Sequence, residues 1–471
     1  MSGAAAENYQ AAGNPCRQCM PLGASWAFKG IEGCIPVLHG SQGCATYIRR
    51  FMISHFREPI DIASSSFDET TVIFGGQENL EQAVMNVFNQ YKPEVIGIAT
   101  TCLSETIGDD VERFVRELRM KEPGLCTLIP VSTPSYQGTQ EEGFHRTVFS
   151  IVSHLAGADV GSDAGSENEQ NDLEEQAESS LPALNFFLPM VTPADIRWIR
   201  KVTAAMKGEA LILPDISDTL DGGLWNEYNA IPPGGTSVDH VRSMHLSEAS
   251  MELGALLPDD WRPGYWLQKH YGTPTLSCGL PVGIDGTDHF FKILSEILGS
   301  SVPQEILEER NRLCDAYADA HKYLYGKKVV IYGDSSTVES LYRFTSEIGM
   351  NPLFCFTGSP GGILKPAIEK LEIPPVADEA PLILEDCDFA DAEDIIEDRK
   401  PDLLIGNSKG YKISRRTGIP LLRTGFPIHD RFGASRQRML GYSGALELLD
   451  RIVNILMEKK QDDSEVGYTY L

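Results

Sequence analysis

Glu94-Val-Ile-Gly-Ile-Ala-Thr-Thr-Cys-Leu-Ser-Glu-Thr106 is the stretch on which the fold turns. After Glu94 it opens as a continuous apolar run, as a strand buried on both faces does, and a polar turn carrying a cysteine follows without a break. Upstream, Leu80, Ala83, Val84, Val87 and Phe88 recur at helical spacing. Downstream, Val111, Phe114, Val115 and Leu118 do so again before Thr127-Leu-Ile-Pro-Val-Ser132 supplies the next strand. Helix, strand, helix, strand over about residues 77–133 predicts a parallel sheet with right-handed crossovers.

The same grammar returns late in the chain. Lys328-Val-Val-Ile-Tyr-Gly333 precedes a helical pattern through Leu341 and Phe344, and Pro352-Leu-Phe-Cys-Phe356, Asp402-Leu-Leu-Ile-Gly406 and Pro420-Leu-Leu-Arg423 read as further strands. In the middle, Phe186-Phe-Leu-Pro189 and Ala210-Leu-Ile-Leu-Pro-Asp215 flank a helix that starts at Pro193. Gly157 to Leu184 has no Lys or Arg, abounds in Asp, Glu, Ser and Gly, and reads as a solvated, mobile linker. The expected fold class is α/β: three doubly wound domains with mostly parallel sheets. The expected boundaries are 1–156, 185–325 and 326–471, with the acidic linker or insertion at 157–184. No internal repeat of fixed period is present.

The chain has 471 residues, enough for about three domains at ~150 residues each. Hydrophobic residues make up 42% and charged residues 23%, the balance of an ordinary globular protein. The net charge of −27 repels a polyphosphate backbone, and no basic patch offsets it, so nucleic acid is not an expected partner. No apolar run reaches membrane-spanning length, and Met1 to Asn14 lacks the basic and apolar regions of a secretion signal. The expected location is the cytoplasm, away from membranes. There the ten cysteines are reduced thiols, core residues or metal ligands rather than disulfides.

In open α/β sheets ligands gather at the carboxyl ends of strands, and Cys102 lies there. A lone cysteine at a strand end is more often a small buried hydrophobe. Company shifts the balance: Cys44 sits in His39-Gly-Ser-Gln-Gly-Cys44, whose glycines let backbone pass a bulky group, and Cys19 sits in Asn14-Pro-Cys-Arg-Gln-Cys19. Thiolates are the soft ligands that iron–sulfur clusters require. Cys16 and Cys19 also form a C-x-x-C pair. A zinc site would need a second ligand pair, which is absent, and a redox dithiol normally opens a helix, whereas this pair reads as part of an N-terminal loop before Met20-Pro21.

Several longer motifs carry a resemblance. Asn14-Pro-Cys-Arg-Gln-Cys-Met-Pro-Leu-Gly-Ala24, His39-Gly-Ser-Gln-Gly-Cys44, His55-Phe-Arg-Glu-Pro59, Phe74-Gly-Gly76, Thr100-Thr-Cys-Leu-Ser-Glu-Thr-Ile-Gly-Asp-Asp110, Gly425-Phe-Pro-Ile-His-Asp-Arg431 and Gly441-Tyr-Ser-Gly444 resemble, in order, the motifs of nitrogenase component 1 β-type subunits. The resemblance covers nearly the whole chain. It implies three α/β domains, an α-type partner in an α2β2 heterotetramer, and electrons from an ATP-dependent iron protein. It also implies that Cys19, Cys44 and Cys102 match the β-side ligands of an iron–sulfur cluster at the subunit interface, of 4Fe–4S or 8Fe–7S (P-cluster) type. Cys16 has no such counterpart. A serine that adds a ligand in some members falls at Thr139, where a turn residue is the preferred reading.

Other residues carry plain expectations. His39 reads either as a donor near the cluster or as a strand-end histidine satisfied by backbone. Arg57 and Glu58 read as interface residues or as a surface pair, and His429 and Asp430 as a packing turn. Cys34, Cys126, Cys278, Cys314, Cys355 and Cys387 read as core. Two functions are then open. In the first and preferred one, the chain is the β-type half of the scaffold on which nitrogenase iron–molybdenum cofactor is assembled (the NifEN type). Ala27-Phe-Lys-Gly-Ile-Glu-Gly33, Tyr47-Ile-Arg-Arg50 and Gly406-Asn-Ser-Lys-Gly-Tyr411 favour it. In the second, it is the β-subunit of a catalytic nitrogenase or a relative such as methylthio-alkane reductase, which three retained cysteines favour. A sugar-nucleotide-binding protein is a third, non-redox reading, without a G-x-G-x-x-G or Walker motif to support it.

Overall fold

The computed structural model describes residues 16–157, 182–224, 226–374, 376 and 380–466. Most of the acidic segment read as a linker, residues 158–181, lies outside them.

Thirteen strands among the described residues form three all-parallel sheets. The first contains β1 (Cys34–His39), β2 (Ala63–Ser64), β3 (Val95–Thr100) and β4 (Thr127–Val131) in the order β2-β1-β3-β4. The second contains β5 (Ala183–Phe187), β6 (Glu209–Leu213), β7 (Ala249–Leu253) and β8 (Thr275–Cys278) in the order β6-β5-β7-β8. The third contains β9 (Lys328–Tyr332), β10 (Asn351–Phe356), β11 (Leu382–Leu384), β12 (Leu403–Gly406) and β13 (Leu421–Arg423) in the order β11-β10-β9-β12-β13. Each order reverses direction once, so each sheet is doubly wound and has a crevice at its switch point. In the first sheet that point lies between β1 and β3, paired from Cys34↔Val95 to His39↔Thr100.

Helices α1 (Met20–Lys29), α2 (Gln42–Phe56), α3 (Glu69–Phe74), α4 (Gln77–Tyr91), α5 (Cys102–Ile107), α6 (Val111–Lys121) and α7 (Gln140–Leu155) belong to the first sheet. The segment read as an N-terminal loop is α1, with Pro21 in its first turn, where a missing N–H costs nothing. All ten of its residues are buried, so it shows no amphipathic stripe. It lies against α7 at close range. A Cβ on Gly23 would come within 1.8 Å of the Gln140 carbonyl, and one on Gly143 within 2.0 Å of the Met20 carbonyl.

β5 begins three residues before the expected Phe186, and β6 ends at Leu213 rather than Asp215, because Pro189 and Pro214 have no N–H for a ladder. One apolar cluster joins Trp26 and Phe144 beside the first sheet, Phe186 and Phe290 around the second and Phe344 beside the third, so the three sheets share a core. Helix α8 (Pro193–Ala205) is tied across it by buried Asp195, which accepts the N–H groups of Met439 (2.9 Å) and Leu440 (3.0 Å). Among the described residues, no helix is long and apolar enough to cross a membrane.

Candidate functional site

The crevice at the first switch point collects the cysteines singled out from sequence. Cys44 lies in the first turn of α2, after β1; Cys102 opens α5, after β3; Cys19 precedes α1 as its N-cap residue. Cys19 and Cys44 are half-buried and Cys102 is exposed. Burial pushes the Cys19 thiol up, its hydrogen bond with Ser135 pulls it back, and the Cys102 and Cys44 thiols raise it further, which puts both of them close to Cys19. Among the described residues, no group of three His, Cys, Asp or Glu converges as one metal ion requires. Three thiols spread along one crevice fit a multi-iron group, whose irons are bound at separate points.

The surrounding loops are fixed by hydrogen bonds. Thr101 Oγ1 donates to the His39 carbonyl at 2.9 Å, joining the ends of β1 and β3. A Cβ on Gly40 would sit 2.2 Å from Thr101 Oγ1, so this glycine accommodates the neighbouring loop, whereas one on Gly43 would make only ordinary contact, 3.7 Å from Ser41 Oγ. His39 is wholly buried and is satisfied by side chains rather than backbone: Ser65 Oγ at 3.1 Å and Asp109 Oδ2 at 3.0 Å. Asp109 in turn accepts the Gly76 N–H, at 3.1 Å to one oxygen and 3.2 Å to the other, which ties the Phe74-Gly-Gly76 motif to the same wall.

Sequence reasoning missed Ser135. Its N–H donates to Cys102 Sγ at 3.2 Å, and its Oγ accepts the Met20 N–H at 3.1 Å next to Cys19. It lies beyond the carboxyl end of β4, and the rule that singled out Cys102 would have reached it. Thr139, the position matched to a ligating serine, is the N-cap of α7. Its hydroxyl bonds Glu142 and accepts Glu141 N–H at 3.2 Å, the Thr-x-x-Glu reciprocity of a capping box. Gln18 N–H donates to Gln140 Oε1 at 2.6 Å, and Tyr47 O–H donates to Gln18 Oε1 at 3.1 Å.

Cys16 parts company with Cys19. It is buried among Tyr332, Phe354, Phe356 and Cys387 of the third sheet, with its N–H on Asp388 Oδ1 at 3.1 Å. The C-x-x-C spacing therefore marks neither a zinc pair nor a redox dithiol. Arg57 and Glu58 form no ion pair with each other: the Arg57 guanidinium donates to the His429 carbonyl at 3.4 Å, and burial and then the charge of Asp221 push the Glu58 carboxyl up against the pull of Arg436. His429 and Asp430 form the expected turn, in which Arg423 donates to Asp430 Oδ2 at 2.8 and 3.1 Å. Of the cysteines read as core, Cys34, Cys355 and Cys387 are buried, while Cys126, Cys278 and Cys314 are half-buried.

The crevices of the other two sheets are filled from within. At the third, Glu141 of α7 accepts the Ser335 N–H and O–H, both at 2.9 Å, and the Ser336 N–H at 3.4 Å, occupying the helix N-terminus where an anion would bind. At the second, Ser336 O–H donates to the Gly254 carbonyl after β7 at 2.6 Å.

Residues 19–457 match the family described as Nitrogenase component 1 type Oxidoreductase. The chain belongs to that family. As a β-type member it is 36% identical to the nitrogenase molybdenum-iron protein beta chain of Clostridium pasteurianum, over 95% of this chain and 93% of that one. It is 31% identical to the nitrogenase iron-molybdenum cofactor biosynthesis protein NifN of Nostoc sp., over 96% and 95%. A solved structure titled "Nitrogenase Cp1 at pH 6.5" superposes on this nitrogenase-type chain with a TM-score of 0.89 at 34% identity, covering 99% and 98% of the two chains. The family resemblance and the α/β fold read from sequence are both borne out.

Proposed function

We propose that this chain is the cluster-bearing β-subunit of a nitrogenase-like heterotetramer in the cytoplasm. Cys19, Cys44 and Cys102 hold part of an interfacial iron–sulfur cluster, an α-type partner supplies the remaining thiolates, and an ATP-dependent iron protein delivers electrons. The observation that carries the reading is the gathering of three thiols at one switch-point crevice, with Cys102 exposed on its rim. The residues suit such a group in kind. Cys19 and Cys44 lie at the starts of helices, and the Cys102 sulfur already accepts a backbone N–H. A bound cluster would supply one-electron storage and relay. The chain itself orients the sulfurs, encloses Cys19 and leaves Cys102 for the partner to cover.

Between the two complexes in which such a subunit works, three thiols from one side favour the substrate-reducing type with an 8Fe–7S cluster. The 36% identity to a molybdenum-iron protein beta chain supports it. The cofactor-assembly scaffold keeps the support of its motif wording and of 31% identity to a NifN protein. Anaerobic co-production with the α-type partner tests the shared reading: a brown heterotetramer containing iron is expected, and a colourless monomer indifferent to its partner defeats it. Adding iron protein and ATP then separates the two. Proton or acetylene reduction marks the reductase, and its absence from an iron-replete complex marks the scaffold.

A further inference from the structure

Cys16 is left unused by the cluster reading, and its surroundings hold a second thiol. β10 and β11 are parallel neighbours, and the loops leaving their carboxyl ends run side by side. Cys387 N–H donates to the Thr357 carbonyl at 3.0 Å and Asp386 N–H to the Ser359 carbonyl at 2.9 Å. Residues 16 and 17 lie across both loops. Arg17 packs on Gly358, where a Cβ would come within 2.9 Å of the Arg17 backbone nitrogen, and its guanidinium donates to Asp386 Oδ1 at 2.7 Å. Cys16 N–H donates to Asp388 Oδ1 at 3.1 Å. With residue 17 on 386 and residue 16 on 388, Cys16 stands opposite Cys387, and each is only 3% exposed within one apolar cluster. Burial and then the Cys387 thiol push the Cys16 thiol well above its ordinary value, which puts Cys387 close to it.

We propose that Cys16 and Cys387 form a dithiol that closes into a disulfide on oxidation and staples the segment leading into Cys19 to the third sheet. Two S–H bonds break and one S–S bond forms; the two electrons and two protons pass to a small-molecule disulfide, which leaves as two thiols. The bond does not rest on the cluster reading. Exchange begins from a thiolate, and burial keeps the docked thiols protonated, that of Cys387 pushed up to about 12. The docked pair therefore reacts slowly. The first attack falls to Cys16 when its segment lifts off, and redocking brings Cys387 to the mixed disulfide. Asp391, Asp388 and Asp386 oppose a Cys387 thiolate, so the site does not favour the reduced pair and the closed bond resists reduction. In a reducing compartment such a bond answers oxidation rather than standing permanently.

The test uses the full chain in its complex, incubated with glutathione disulfide under argon so that no oxygen reaches it. Trypsin cuts after Arg17, Lys29, Lys370 and Arg399, which places Cys16, Cys19 and Cys387 on three different peptides. The expected result is the loss of two alkylatable thiols and of about 2 Da from the chain, with the peptides ending at Arg17 and Arg399 joined. The thermal midpoint should rise, because the bond closes a long loop of the unfolded chain, and dithiothreitol should return it. Cys16→Ala and Cys387→Ala should each lose the cross-link and the rise while keeping the iron of the parent. Glutathione adducts without a cross-link, a bond from Cys16 to Cys19, or two thiols still free once an exposed reference dithiol has oxidised would each overturn the pairing. A cross-link that leaves the midpoint unmoved overturns the staple.

Discussion

Ligand and core cysteines should part company on substitution. Cys44→Ala and Cys102→Ala each remove a sulfur from the crevice and should strip iron and the paramagnetic signal from the complex, lowering stability through the lost metal linkage. Cys355, fully buried in β10, should cost about 1–2 kcal/mol on truncation to alanine and leave iron unchanged. Cys16→Ala belongs with Cys355, since its side chain packs on the third sheet. Iron analysis of the four variants decides the matter, and full iron in the first two would sink the ligand set. The placing of Cys102 at the crevice was legible because it follows a strand that reads from the sequence pattern, and that of Cys44 because glycines flank it. Ser135 was not, since a serine in a turn carries no mark of what its N–H will meet. The C-x-x-C spacing made no joint site, as the sequence had suggested, because Arg17 and Gln18 separate a cysteine packed on the third sheet from one at the first crevice.

Helix packing and capping set where those residues stand. Gly143→Ala would drive a methyl into the Met20 carbonyl and push α1 from α7, so it should destabilise by about 2 kcal/mol or more and reduce the iron bound. Thr139→Ala removes a cap and should cost about 1 kcal/mol, measured as a fall in thermal midpoint. At the other side of α7, burial and then the negative charges of Asp334 and Glu142 push the Glu141 carboxyl up to about 8, against 4.5 ordinarily. The folded chain therefore holds a proton that the unfolded chain releases, and stability is lost as pH rises from about 4.5 through about 8. Glu141→Gln should flatten this slope, narrowing the difference between mildly acidic and mildly basic melting points by the order of 2 kcal/mol. An unchanged slope would contradict the assignment. The Thr-x-x-Glu pattern was present in the sequence, whereas the role of Glu141 was not, because its partners Ser335 and Ser336 lie 194 and 195 residues away.

Assembly is the outcome expected of the whole molecule. Three thiols do not complete the shell of an eight-iron cluster, so the isolated chain should bind iron poorly and the co-produced pair should elute as a heterotetramer. The αβ complex, whose β chain lacks a Walker motif, should not bind ATP without its iron protein, and calorimetric evidence of tight binding would count against the reading. The parallel sheets were legible because buried strands read as unbroken apolar runs. The short edge strands β2 and β11 and the buried α1 were not, since two or three residues, or a helix apolar on every side, leave no period to read. The fixing of Cys16 by Asp388 has one more consequence. The backbone just ahead of Cys19, the first of the proposed ligands, is anchored to a residue made 372 positions later. A ribosome would release almost the entire polypeptide before that anchor could form, so metal insertion should follow synthesis, and a nascent chain stalled before Asp388 should not acquire iron at Cys19.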